Sequence, residues 1–228
     1  MIKQAPILIT GIPRSGASMI AAAINSCGAF AGNMSKRGRY SNDNIRELLV
    51  KPYLERIGGD KEGHYPLVEN TSIPLNWKEM VNDIMIEEGY KEGNWMYKDS
   101  RLCLTWKVWN RAYKNAKWVI VRRRSADILH SCIETKYMTR FKFIENCKAV
   151  GVEDERSGWL WMIHQYELKF IEMIQEGLNC KQIWPERMVQ GDYQQMYELC
   201  DWLGLSWNEE AFNFINPLLW GGKLKRKE

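Results

Sequence analysis

Apolar residues along this chain recur in two rhythms. Short, nearly continuous apolar runs stand at Ile7-Leu8-Ile9, Trp95-Met96-Tyr97 and Trp118-Val119-Ile120-Val121. Runs of this length are the pattern of strands buried on both faces of a parallel sheet. Between them apolar residues return every three or four positions, the helical period. That period predicts helices over residues 18–27, 44–57, 77–88, 102–114, 126–137, 155–176 and 193–203. In the longest, Trp159, Met162, Ile163, Tyr166, Phe170 and Ile174 mark one side. Strands are predicted over 6–10, 95–98, 118–121 and 187–190. Pro52 falls inside the second helix and predicts a kink or break, because it has no N–H to donate. Residues 28–41 and 60–75 and the C-terminal tail read as loops.

Alternation of strand and helix predicts an α/β fold of three layers, a central parallel sheet flanked by helices. The 228 residues suffice for a single domain, 1–228, with a sizeable core. Ligands on such sheets bind beyond the carboxyl ends of the strands. That rule brings residues 10–18, 98–101 and 122–125 to one edge.

Charge narrows the partners. The net charge is +4, and Lys223, Lys225, Arg226 and Lys227 against Glu228 supply +3 of it. The nearly balanced body argues against a specific nucleic-acid face. Six cysteines are scattered without Cys-x-x-Cys or Cys/His metal spacing, so no metal is expected. Cys27, Cys132 and Cys200 fall in predicted helices and are expected as buried free thiols. The chain shows neither a signal-peptide pattern nor a membrane-spanning apolar run, and a cytoplasmic location is expected.

The chemistry concentrates at Gly11-Ile12-Pro13-Arg14-Ser15-Gly16-Ala17-Ser18, between the first strand and the first helix. Such a loop gathers backbone N–H groups at a helix N-terminus, where the helix dipole favours an anion. Gly11 and Gly16 permit sharp turning and close approach. Ser15 and Ser18 add hydroxyls, and Arg14 a guanidinium fork. The spacing nearly matches the P-loop G-x-x-x-x-G-K-[ST], but Ala17 stands at the lysine position. The Pro-Arg-Ser-Gly-x-Ser arrangement resembles the 5′-phosphosulfate loop of sulfotransferases. That family uses 3′-phosphoadenosine-5′-phosphosulfate (PAPS) as sulfuryl donor and has a P-loop-like fold. Ala17 departs from the family's Thr.

A second motif is Arg122-Arg123-Arg124-Ser125-Ala126-Asp127 followed by Ser131. Arg123 and Ser131, eight residues apart, can grip one phosphate with a guanidinium and a hydroxyl. The spacing resembles the family's 3′-phosphate motif, with Asp127 at its fifth position and Arg124-Ser125 where Asp-Pro is frequent. A third, Lys98-Asp99-Ser100-Arg101, resembles a Lys-Asp-Pro-Arg element of bacterial members. Asp99 is a candidate base or orienting group there, or simply the N-cap of an ion-paired helix start.

The resemblance implies a sulfotransferase with two anion grips a nucleotide's length apart. Arg14, Ser15, Gly16, Ala17 and Ser18 would hold the 5′-phosphate, and Arg123 and Ser131 the 3′-phosphate. Arg14 would also stabilise the bridging oxygen, and adenosine 3′,5′-bisphosphate (PAP) would be the product. The acceptor would be a small molecule or glycan held by segments 30–95 and 135–158. Bacterial relatives often carry a Glu base in a Gly-Tyr-Phe-Glu-Asn-like stretch. Here Gly38-Arg39-Tyr40-Ser41-Asn42-Asp43 puts Ser41 at that place, leaving Asp43, Asp99 and His64 as candidate bases. The late Trp220-Gly-Gly-Lys-Leu-Lys-Arg stretch could fold over a nucleotide or fray. Competing readings are a noncatalytic nucleotide-binding protein, a P-loop small-molecule kinase and a phosphate-backbone binder.

Overall fold

The computed structural model describes residues 2–34, 40–66, 72–136, 138–215 and 220. Four strands form the sheet: β1 (Ile7–Gly11), β2 (Met96–Lys98), β3 (Lys117–Val121) and β4 (Cys180–Ile183). All pair in parallel, in the order β2-β1-β3-β4. The helices in chain order are α1 (Ala17–Ser26), α2 (Lys51–Arg56), α3 (Trp77–Glu87), α4 (Trp106–Ala112) and α5 (Ser125–Glu134). They continue with α6 (Ile144–Lys148), α7 (Glu155–Gln175), α8 (Pro185–Val189) and α9 (Gln194–Leu203). None of the described helices is long and apolar enough to cross a membrane.

Strand alternation explains the three layers. Ile7, Ile9, Val119 and Val121 point to one face, and pack with α1, α9 and Met188 of α8. Leu8, Tyr97, Trp118 and Ile120 point to the other, against residues of α3, α4, α5 and α7. Each central strand therefore needs apolar residues at every position. In α1, Ala21, Ala22 and Ala23 are buried and bring that helix close to the sheet. All six cysteines are free thiols, and the Cys27 and Cys200 sulfurs lie 3.9 Å apart.

Four expectations are corrected. Residues 187–190 are not a strand: they close α8 and lead out of it, and Pro185 begins that helix, where its missing N–H costs nothing. The fourth strand is β4, whose Lys181 and Gln182 are exposed, so its apolar signal is weak. Pro52 does not break the second helix. The wider turns of a π-helical stretch, Ile45–Val50, run into α2 and seat Pro52 in its first turn. Residues 102–114 divide into a 3-10 turn, Ser100–Cys103, and α4. The segment beyond α9 is not all loop, because Glu209–Phe214 forms a 3-10 turn near α1. Tyr137 and the basic residues beyond Trp220 lie outside the described residues.

Candidate active site

β1 and β3 are neighbours, and Gly11 pairs in register with Val121. The chain leaves β1 for a helix on one face of the sheet and β3 for a helix on the other. A crevice opens where connections part in this way. Loops 12–16 and 122–124 both start at its floor. Gly11 is required there by space: a Cβ would come within 2.8 Å of the Val121 carbonyl and 2.5 Å of Ser15 Oγ.

The first loop turns through two left-handed residues, Arg14 (φ 77°) and Gly16 (φ 92°). Glycine adopts this conformation freely; for arginine it costs about 1–3 kcal/mol, a strain typical of ligand-binding loops. The cost is met by contacts that fix Arg14 from across the crevice. Its Nε donates to Ser131 Oγ of α5 at 2.9 Å. Its carbonyl accepts from Arg123 Nη1 at 2.8 Å. Arg123 Nη2 donates to the Trp220 carbonyl at 2.8 Å, and the guanidinium lies 4.3 Å from the centre of the Trp220 ring. That ring covers Gly16, where a Cβ would meet it at 2.5 Å. Burial holds the Arg123 guanidinium below its ordinary pKa, and its Nε is buried without a hydrogen-bond partner. Arg124 instead faces solvent, paired with Asp127 at 2.8 Å.

Arg123 thus points toward the glycine-bounded loop and touches it directly.

A cavity of about 690 Å³ opens over this loop. Arg14, Gly16, Ala17, Ser18 and Arg123 line it, as do Lys98 and Asp99. Gly16, Ala17 and Ser18, at the N-terminal end of α1 where the helix dipole favours an anion, belong to this wall. Lys98 Nζ donates to Ser18 Oγ at 3.1 Å, joining the end of β2 to α1. Two expected binding residues do not line the cavity. Ser15 is buried, its Oγ without a partner beside Gly11, and Ser131 stands behind Arg14.

The three candidate bases fare differently. Asp99 is buried, its side chain 1% exposed, and both its oxygens are taken by Arg101 Nε and Nη2 at 2.7 Å each. It also caps the following 3-10 turn through Arg101 N, the structural alternative for this motif. Burial pushes its pKa up, but the Arg101 charge and hydrogen bonds more than offset that and hold it below the ordinary range. Asp43 pairs with Arg46 at 2.6 Å and is not among the lining residues. His64 does line the cavity. Its ring stands edge-on to Trp159 at 5.7 Å, and burial lowers its pKa, so the neutral form is favoured.

Segment 30–95 also brings Tyr40, Ser41, Arg46, Lys51 and Glu62 to the cavity, and segment 135–158 brings Met138. Ser41 is 4% exposed and its Oγ has no hydrogen-bond partner. No motif pointed to Arg46, Lys51 or Phe214, which reach the cavity from the π-helical stretch, the start of α2 and the 3-10 turn after α9. Tyr166, midway along α7, does not line the cavity but bonds the Gly63 carbonyl beside His64. Residues 38 and 39 of the Glu-motif counterpart lie outside the described residues.

No protein-family profile matches the sequence, and no curated protein matches it significantly. Solved structures do match the fold. A sulfotransferase domain from the curacin biosynthetic pathway superposes with a TM-score of 0.60 at 13% identity, covering 95% of this chain and 79% of that one. A sulfotransferase domain from the Synechococcus PCC 7002 olefin synthase superposes with a TM-score of 0.59 at 12% identity, covering 100% of this chain and 85% of that one. The protein thus has the fold of sulfotransferase domains.

Proposed function

We propose that the protein is a sulfotransferase that takes its sulfuryl group from PAPS and delivers it to a hydroxyl or amine acceptor, releasing PAP. One observation carries this reading. Arg14 and Arg123, from loops that leave the sheet toward opposite faces, converge on one glycine-bounded anion loop with a cavity above it. A kinase reading lacks the P-loop lysine, since Ala17 occupies that place.

The residues fit a bisphosphorylated nucleotide. The amides of Gly16, Ala17 and Ser18 would hold the 5′-phosphate at the dipole end of α1. Arg123 would hold the 3′-phosphate. Its buried Nε, without a partner, is a donor that a phosphate oxygen would satisfy. Ser131, which does not line the cavity, accepts from Arg14 and would orient that guanidinium. Trp220, now over Gly16 and Arg123, would shift or stack against the bound nucleotide.

Transfer would be an in-line displacement: the acceptor atom bonds to sulfur as the bond from sulfur to the bridging oxygen breaks. Charge grows on that oxygen, and Arg14, fixed in advance by Ser131, would stabilise it with Lys98 beside it. His64 would take the acceptor proton, because it faces the cavity in its neutral form. Asp99 and Asp43 are committed to arginines and are assigned no proton transfer. The acceptor, a small molecule or glycan, would lie among Tyr40, Ser41, Lys51 and His64. A second reading, nucleotide binding without transfer, draws on Ser41, a hydroxyl where relatives carry a base. His64→Gln separates the two.

Calorimetry without magnesium tests the donor assignment. PAP should bind at least tenfold tighter than ADP, and Arg123→Ala should weaken PAP by about 2–4 kcal/mol, as when a charged partner is left unpaired. Equal affinities for PAP and ADP would remove the assignment.

A further inference from the structure

Beneath the cavity lies a buried polar network that the transfer reaction does not use directly. Arg101 is bound to Asp99 through both Nε and Nη2, and its third donor, Nη1, reaches the Lys61 carbonyl at 2.8 Å. Tyr97 OH donates to Asp99 Oδ2 at 3.2 Å. From α7, Tyr166 OH donates to the Gly63 carbonyl at 2.9 Å. Both side chains therefore hold backbone carbonyls of one short turn. The same turn is tied from within. Asp60 Oδ2 accepts from the His64 and Tyr65 amides at 2.9 Å, and its Oδ1 from Glu62 N at 3.1 Å. Gly63 is left-handed (φ 74°), and a Cβ there would meet Tyr166 OH at 2.8 Å and Arg101 Cγ at 3.0 Å. The turn thus rests directly on Arg101 and Tyr166, and the next residue is His64.

We propose that Arg101, oriented by Asp99, and Tyr166 are positioning residues that fix the turn over 60–65 so that the His64 imidazole is held against Trp159 and faces the cavity. This rests on the reading of His64 as the base. The arrangement also assigns the third sequence motif: its carboxylate serves by aiming a guanidinium rather than by moving a proton. A buried pair in which each guanidinium nitrogen holds an acceptor suits that task, since breaking it leaves an uncompensated charge. Holding a catalytic group within a fraction of an ångström is worth orders of magnitude in rate.

The test is Tyr166→Phe, which deletes one hydroxyl and keeps the ring in the core. The first readout is the NMR titration of His64, assigned by comparison with His64→Gln and read beside His130 and His164. Asp60, Glu62, Arg101 and Arg140 are the charged groups acting on His64; the first two raise its pKa and the arginines lower it, but burial is the largest influence. Loosening the turn should therefore expose the ring and move its titration up toward 6.5. The second readout is kcat, expected to fall about tenfold with PAP affinity within twofold, and with the acid limb of the rate profile moving up alongside the titration. Arg101→Lys, which keeps a charge near Asp99 but cannot span to Lys61, should act in the same direction. An unmoved His64 titration in both variants overturns the positioning role. A moved titration with unchanged kcat upholds the positioning and removes His64 as the base.

Discussion

Replacing Arg101 with alanine strips Asp99 of its counter-charge inside the protein. The wild-type carboxylate accepts from Arg101 Nε and Nη2 at 2.7 Å each, and the Arg101 side chain is 9% exposed. The variant also loses the bond to the Lys61 carbonyl. Removing one partner of a buried pair costs about 3–5 kcal/mol. Asp99 keeps two donors, Arg101 N and Tyr97 OH, so the expected loss lies at the low end, about 3 kcal/mol at pH 7. The pH dependence carries the sharper prediction. In the wild type the folded pKa of Asp99 lies below its unfolded value, so the pair stabilises above about pH 4, and that stability is lost as pH falls through the folded pKa. Without Arg101, burial pushes the pKa above the unfolded value, and the charged form destabilises the fold at neutral pH. Urea denaturation should therefore show a larger loss at pH 7 than at pH 4.5. Adding Asp99→Asn should recover part of the loss, because no buried charge is then left unpaired. A loss below about 1 kcal/mol, or one equal at both pH values, would refute this account of the pair.

Two further outcomes follow from close contacts and from burial. Gly158→Ala, inside α7, should gain about 1 kcal/mol of helix propensity yet destabilise overall by about 1–2 kcal/mol. Its Cβ would meet the buried Phe141 ring at 2.4 Å, and a lowered thermal midpoint measures the net effect. If sulfuryl transfer uses neutral His64, kcat should stay level from pH 8 to below 6.5 and fall only at more acid pH, since burial depresses the imidazole; a limb centred above 6.5 contradicts that role.

The central strands were readable in the sequence because both their faces are buried, so β1 and β3 carry the apolar runs Ile7–Ile9 and Trp118–Val121. The edge strand β4 was not, since Lys181 and Gln182 meet solvent and leave little periodic signal. The anion loop was legible because its glycines answer to steric limits, at Gly11 from Val121 and at Gly16 from a positive φ. The Arg14–Ser131 contact spans 117 residues, and spacing along the chain gave no means of pairing Ser131 with Arg14 rather than with Arg123. Asp99 matched a motif, but its partner choice depends on burial, which decides whether a carboxylate beside an arginine is a base or a brace. His64 stood in an irregular stretch, and the contacts around its turn come both from Asp60 within it and from Arg101, Trp159 and Tyr166 in distant elements, which spacing along the chain cannot show.

The central claim is that one nucleotide with phosphates at both its 3′ and 5′ positions sits between the Arg14 loop and Arg123. A crystal structure of the complex with PAP tests it most directly. The account predicts the 5′-phosphate on the amides at the start of α1 and the 3′-phosphate within hydrogen-bond distance of Arg123, with Trp220 moved from its present place over Gly16. A nucleotide bound with its 3′-phosphate turned away from Arg123, or bound outside the crevice between β1 and β3, would contradict it.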